Sequence, residues 1–585
     1  MQREADICFS ILTNSLGELG EFFIYTVPGA KPLSHHLGHT LPPNLVPNSH
    51  LSFERARRWL KACTQEHIRC QAFNTPYMPT RILEISKDNN IAVRLVTNPP
   101  AAPYTTLSYC WGGDQAAKAT IDCLPAYESN IPVDSLPKTI REALIVTQGI
   151  GLRYLWVDAL CIIQDSEEDK SLQISQMHRI YRGSHFTIAT TVANTSADGF
   201  LHPRTSYRGT ILRARFDDNV FGHILITPNQ AAPISADVPD HRLFTRGWTF
   251  QENQLSTRII AYTDREMVYQ CLESRHRDGG DDLSIAFDSS RSFGRFFPDN
   301  TIRRVLSYLD PGNRSFAGYR HPLAWFRATE VYTSRELTVP GDKLPALAAI
   351  AEEYRLVQGP QAGTYLGGLW KEDFLLQCLW TVTAAAREVR RPAEYRAPSW
   401  SWASVDGSVG WVDATQFSHQ RMDYEVTARL AAVGTTLYSE QEDLGRVTGG
   451  FARISARMRQ IVWRNLDPSA MYGSHEGRAC EDPGEERKDG TAADRRLHLS
   501  MDMRSEWPSE SEVLLWCAEV CKMRKAPESR DARVRGGGLL LEEVQQQDEA
   551  GRTGRTFRRV GIVSFRGNPY WFDDGRSERR EINII

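Results

Sequence analysis

Three groups of residues in this chain have the types and spacing to do chemistry. The first is Arg246, Trp248, Gln251 and Glu252, packed into RGWTFQE (246–252), where a helix is expected to start. The second lies in YTTLSYCWGG (104–113) and YLWVDALCIIQD (154–165), which carry Ser108, Tyr109, Trp111, Asp158, Cys161 and Asp165. Asp158 is the anomaly there, because a carboxylate within an apolar strand is costly unless it is paired or sits at the strand's exposed end. The third is Cys63, His67 and Cys70, at i, i+4 and i+7 of a helix expected from Ser52, which puts three potential metal ligands on one face. A structural zinc site needs a fourth ligand and none stands nearby in the sequence, so packing is the preferred reading and no metal is assigned. HHLGH, with His35, His36 and His39, also lacks a second ligand cluster and reads as a solvated loop. Cys161 with His178 or His185 has the types for a thiol nucleophile and its base, but a thiol inside an apolar strand is expected to be inert.

These residues need a scaffold that gathers them. Leu155–Val157 and Ala159–Ile163 read as one strand covered on both faces. Asp165 or Ser166 can cap the next helix, and Glu167, Glu168 and Asp169 load its first turn with the charge that the helix dipole favours. Ile174, Met177, Ile180 and Tyr181 form its expected buried face, Gly183 stops it, and His185–Thr191 is the next strand. Upstream, YTTLSY reads as a strand, followed by a helix over 135–151 that Ser135 caps and that buries Ile140, Ala143, Leu144 and Thr147. The order strand, helix, strand, helix, strand predicts a parallel α/β sheet with right-handed crossovers. Ligands of such sheets gather beyond the carboxyl ends of the strands, where the second group of residues falls.

Hairpins are expected at RILEI/IAVRLV (81–96), ILRARF/GHILIT (211–227) and IIAYT/MVYQC (259–271). Helices are expected over 325–354, broken at Pro340-Gly341, and over 366–386; four strand-like runs end the chain. The division read from these patterns is a loose N-terminal segment (1–50), a helix-plus-hairpin lead-in (51–103), an α/β core (104–252), an α+β C-terminal region (253–464), a disordered insert (465–512) and a terminal β segment (513–585). Lys and Arg number 69 against 72 Asp and Glu, a balance that argues against a nucleic-acid partner. No run approaches the ~20 apolar residues of a membrane span, and MQREADICFS lacks the apolar centre of a secretory signal, so no integral membrane segment and a cytoplasmic location are expected. The 11 cysteines then read as reduced thiols. No GxxxxGK[ST] stretch is present, so the chain has no P-loop nucleotide switch of its own.

Taken in order, YTTLSYCWGG, then LWVDALCIIQD with QISQMHRIY, then RGWTFQE resemble the three blocks of the fungal heterokaryon-incompatibility (HET) domain. Flanking stretches resemble others common in those proteins: Trp59…Cys63…His67…Cys70, SRELT…DKLPALAAIA (334–351), YLGGLW (365–370) and APSWSWAS (397–404). Asp169 departs from the pattern, which more often has Glu there. The resemblance implies non-self recognition ending in cell death, and a core similar to TIR domains, that is, a flavodoxin-like parallel sheet. Some TIR domains cleave NAD⁺ with a glutamate four positions after a tryptophan at a helix start, the spacing of Trp248 and Glu252. The resemblance thus implies Glu252 as the catalytic carboxylate, with Ser108, Trp111, Asp158, Arg246 and Trp248 around NAD⁺ as substrate and no bound cofactor. Two other readings stay open: Glu252 pairs only with Arg246 or Arg258, or the domain signals by self-association or with another incompatibility protein, its surface rather than its pocket carrying the message.

Overall fold

The computed structural model describes residues 8–13, 17–26, 44–86, 91–115, 117–204, 210–217, 220–228, 242–264, 266–278, 322–383, 389–411, 424–439, 443–464, 479–480, 496–501, 512–523, 534–547, 553–566, 572, 575 and 577–585. HHLGH, the proline-rich stretch around it and most of the 465–512 insert lie outside them. The chain divides into two compact units, Met1–Arg303 and Arg304–Ile585.

The first unit begins with strands β1 (Cys8–Thr13) and β2 (Gly17–Thr26), in a segment expected to be a loose lead-in. The prolines that suggest a loose segment begin only at Pro28, after both strands have ended. A helix α1 (His50–Glu66) comes next, capped by the Ser49 hydroxyl, which accepts from Ser52 N–H at 3.2 Å; Ser52, expected as the cap, is buried within the helix. A short helix α2 (Ile68–Phe73) follows, then β3 (Arg81–Ile85) and β4 (Val93–Thr97). The core continues with β5 (Tyr104–Ser108), α3 (Lys138–Ile150), β6 (Tyr154–Trp156), a single helical turn α4 (Asp158–Cys161), α5 (Glu167–Gly183) and β7 (Phe186–Thr190). The hairpin β8 (Thr210–Asp217)–β9 (Val220–Pro228) pairs with β2, giving a four-stranded sheet of its own. Helix α6 (Trp248–Leu255) then leads into β10 (Ile259–Tyr262), β11 (Met267–Gln270) and β12 (Arg275–Arg277).

The main sheet has eight strands in the order β12-β11-β10-β7-β5-β6-β3-β4. Its centre is parallel: β5 pairs with β6 and β7, and β7 with β10. All three expected hairpins are present: β8–β9 lies in the four-stranded sheet, while β3–β4 and β10–β11 each extend the main sheet, the first through an antiparallel β3–β6 pairing. Residues 259–277, expected with the C-terminal region, therefore complete the core sheet.

Two local corrections matter for the site. The apolar run 155–163 is not one strand, because β6 stops at Trp156 and Asp158 opens α4. Asp158 thus sits beyond the strand's carboxyl end, which avoids burying its charge in the sheet. On α5, Gln173, Met177, Ile180 and Tyr181 face inward while Ile174 is exposed, so the buried face is rotated from the expected one. The expected cap holds: the Ser166 hydroxyl accepts from Asp169 N–H at 3.2 Å. Asp169 itself accepts from Ile163 N–H at 2.8 Å and pairs with Arg81, whose Nε reaches Cys161 O at 3.0 Å, tying the α4–α5 turn to β3. Helix α3 starts at Lys138 behind Pro137, with no side-chain cap from Ser135, and ends at Gly151, whose φ of 96° is the left-handed conformation that glycine adopts without strain.

The second unit is β-rich. Helices Pro322–Thr333 and Pro345–Gln358 flank the expected break at Pro340-Gly341. The helix expected over 366–386 is instead short strands, Tyr365–Leu366, Leu369–Trp370 and Trp380–Val382, around one helical turn. Gly367 and Gly368, with φ of 49° and 106°, make the two-residue turn that breaks the helical pattern. The Gly368 carbonyl accepts from the indoles of both Trp325 and Trp402 at 2.9 Å, which explains why YLGGLW and SWSWAS share one aromatic core. The four terminal runs are strands, as expected. Pairing of Glu512–Met523 with both Val534–Gln547 and Val447–Arg464, together with Thr553–Arg566 and Glu578–Ile584, closes a five-stranded ring within a nine-stranded sheet. Ring closure leaves these five strands without free edges. Arg496–Met501, inside the insert expected to be disordered, is a strand paired to Thr553–Arg566.

In the first unit Asp278 and Arg204 form a fully buried ion pair at 2.9 Å, and Asp278 also accepts from Met267 N–H at 3.0 Å. Removing one partner strands a buried charge, so Asp278→Ala should cost roughly 3–5 kcal/mol in urea unfolding.

Candidate active site

Parallel strands bring their carboxyl ends to one edge, and here β5 and β6 deliver Ser108 and Asp158 to it. Helix α6 brings Glu252 in its second turn, because RGWTFQE turns helical at Trp248 and faces this edge through a largely buried surface. Ser108 Oγ donates to Glu252 Oε2 at 2.6 Å, with both residues buried. Trp111 Nε1 donates to Asp158 Oδ2 at 2.9 Å, and Asp158 Oδ1 accepts from its neighbour Ala159 N–H at 2.7 Å. Arg246 donates to Tyr109 O at 2.5 Å, and its charge acts on both carboxylates. Trp111, Asp158, Arg246 and Trp248 are half-buried, whereas Ser108 and Glu252 are buried.

The electrostatics single out Glu252. Burial pushes its carboxyl up to about 7, and the nearby Asp158 charge adds to the rise, while the Ser108 hydrogen bond, the Arg246 charge and the Tyr181 hydroxyl pull it back. Burial likewise raises Asp158, against the Trp111 indole and Arg246. A glutamate near half-ionised at neutral pH can act as acid, base or charge stabiliser. Tyr181 and Tyr109 belong to the site although the sequence marked Tyr181 only as a core position and Tyr109 only as a strand-end residue. Tyr181 OH donates to Leu107 O at 3.1 Å beside Glu252, and Tyr109 OH meets Gln115 beside Asp158. A helical spacing reveals which face a tyrosine takes but not where its hydroxyl ends.

Gly112 carries a positive φ of 78°, and a Cβ there would stand 2.4 Å from Thr195 Cβ. The glycine thus lets the Trp111 loop lie against the segment after β7, where Trp111 O accepts from Ser196 N–H at 3.2 Å. Asp165 is structural, accepting from Ile121 N–H at 3.0 Å.

Cys161 has the surroundings expected of an inert thiol. It is fully buried in α4 rather than in a strand, its sulfur accepts from Val157 N–H at 3.5 Å, and burial pushes its thiol up to about 12. His185 is held down at about 4 by burial, with Arg258 adding to the shift, and His178 Nδ1 takes the Ser175 carbonyl oxygen at 2.8 Å. Cys63, His67 and Cys70 are not on one continuous helix, since His67 takes an extended conformation between α1 and α2. The fourth side chain missing from the sequence reading is Cys271, just after β11, and the ligand atoms of all four lie within 4.8 Å of one another. A cysteine at the end of a β-hairpin strand was the available signal, but 200 residues of chain hid the pairing.

The Glu252 shift has a stability consequence. From its ordinary value of 4.5 to about 7 the unfolded chain releases this proton while the folded chain keeps it, so stability falls with rising pH across that window. The decline amounts to roughly 3 kcal/mol. Glu252→Gln should remove it, so that the variant gains on the native protein between pH 5 and 8 in chemical unfolding.

Residues 104–252, from the first residue of β5 to Glu252, match the family model described as Heterokaryon incompatibility protein (HET). No curated protein and no solved structure matches the chain. The matched span begins with the strand that carries Ser108 and ends on the glutamate it meets, and it contains Trp111, Asp158, Arg246 and Trp248. The chain therefore carries a heterokaryon-incompatibility domain at residues 104–252.

Proposed function

We propose that this chain is a signalling protein of fungal non-self recognition and cell death, and that its HET domain hydrolyses NAD⁺ at the nicotinamide–ribose bond with Glu252 as the catalytic carboxylate. The observation that carries the catalytic part is the convergence of Ser108, Trp111, Asp158, Arg246 and Glu252 at the carboxyl ends of β5 and β6. The family match supports the biological part. The parallel strands β6-β5-β7-β10, numbered along the chain, run in the order 2-1-3-4, which supports a TIR-like, flavodoxin-like reading of the core. In such sheets ligands sit where the strand order reverses, beside β5.

The chemistry is balanced with water as the only co-reactant. The C1′–N bond breaks with its electron pair going to nicotinamide, positive charge builds at the ribose, and water adds at C1′ and releases a proton. An ionised Glu252 stabilises that charge or takes the proton of the attacking water. Ser108 orients the carboxylate. Trp111 or Trp248 can stack on the nicotinamide ring, and Arg246 can meet a phosphate. Asp158, fastened to Trp111, positions that ring.

No helix among the described residues is long and apolar enough to cross a membrane. The test is NAD⁺ consumption by purified protein at high concentration with a crowding agent, beside Glu252→Ala. Turnover lost in the variant, with kcat/KM of the native protein rising as pH passes about 7, supports the enzyme. A folded, assembled protein without turnover overturns it. The domain is then a self-associating module or binds another incompatibility protein, with Glu252 holding β5 through Ser108.

A further inference from the structure

Four side chains outside the active site form a second constellation with its own chemistry. Cys63 ends the buried face of α1, His67 stands at the break before α2, Cys70 lies in α2, and Cys271 follows β11. The three cysteines are buried and the histidine is half-buried. Among the described residues this is the group of His, Cys, Asp and Glu whose ligand atoms cluster, all four within 4.8 Å of one another. His67 Nδ1 is 3.3 Å from Cys271 Sγ and 4.0 Å from Cys70 Sγ. Tetrahedral zinc with bonds of about 2.3 Å to sulfur and about 2.0 Å to nitrogen separates S and N ligands by roughly 3.5 Å, between those two distances.

We propose that Cys63, His67, Cys70 and Cys271 bind one structural zinc ion as a Cys₃His site. Three thiols packed together in an apolar interior have little reason to approach a histidine this closely unless something bonds to all four. The surroundings suit thiolates. Arg258, itself 3% exposed, directs Nε to Cys63 Sγ at 3.1 Å. The backbone N–H groups of Glu273 and Ser274 point at Cys271 Sγ at 3.4 and 3.2 Å, and the Ser274 hydroxyl stands 3.3 Å from it. Zinc with three thiolates and a neutral imidazole carries one net negative charge, and the buried guanidinium offsets it. All four positions are filled by protein, as in structural rather than catalytic zinc sites. Softness of the donors favours zinc over magnesium or calcium. The ion would fasten α1 and α2 to the β10–β11 hairpin, adding to contacts that include Trp59 against Tyr269, Trp59 stacked on His276 of β12 and Glu273 accepting from Arg69 N–H at 2.7 Å.

The experiment is metal analysis of the full chain purified without chelator, followed by cobalt replacement. About one zinc per chain and the absorption of tetrahedral, thiolate-bound Co²⁺ are expected. Cys271→Ser should lose the metal, Cys271→His should retain it with weaker thiolate charge transfer, and Cys517→Ser, a buried cysteine elsewhere, should leave it unchanged. Chelation of the native protein should lower its melting temperature. If Cys271→Ser does not fold, the native zinc content and cobalt spectrum still decide. Folded native protein that holds no zinc and gives no tetrahedral cobalt spectrum overturns the proposal, as does a disulfide between any two of the three cysteines. Neither result bears on NAD⁺ turnover.

Discussion

The first unit depends on burying a carboxylate where a parallel sheet ends. Glu252 is nearly inaccessible, and the protein compensates by giving it the Ser108 hydroxyl, the Arg246 charge and the Tyr181 hydroxyl. Satisfying that group constrains β5, the turn into α6 and the inward face of α5 at once. A helix merely packed on the sheet would place apolar residues there. Seven of the eight residues of α6, Thr249 to Leu255, are buried, and five of those are polar or charged; Thr249 Oγ1 donates to Leu243 O at 2.5 Å and Glu252 accepts from Ser108.

The same logic separates the two carboxylates. Asp158 keeps part of its surface open, fastened by an indole and a backbone N–H at the start of a one-turn helix. Glu252 is sealed. Placed near each other and near one arginine, both are pushed up from the ordinary carboxylate range by burial, each opposed by its own hydrogen bonds and by the Arg246 charge. The second unit solves a different problem, closing a β ring around apolar side chains such as Leu515, Leu540 and Val563, and anchoring its tryptophans on the carbonyl of a glycine turn.

Much of the core was legible from residue order. Apolar runs of strand length and a capped helix between them placed β5, α5 and β7, because each depends on local periodicity and capping. Two of the failures share a cause. The strand across Asp158 and the helix over 366–386 were expected from apolarity, which cannot tell a buried strand from a buried helical turn; the aspartate in one case and the paired glycines in the other were the deciding residues. The strands at 8–26 were overlooked although β1 and β2 pair locally as a hairpin; the partner that extends them into a four-stranded sheet, β9, lies about 200 residues on.

By itself the sequence determined the elements, the family-like blocks and the residue types available for chemistry, since these follow from nearest neighbours and helical or strand periods. Only the tertiary structure decided which of those residues meet. Ser108 reaches Glu252 across 144 positions, Trp111 reaches Asp158 across 47, and His67 reaches Cys271 across 204. Such meetings are set by sheet order and crossover direction. A chain read residue by residue carries no record of them, because the energy that selects them comes from packing the whole sheet at once.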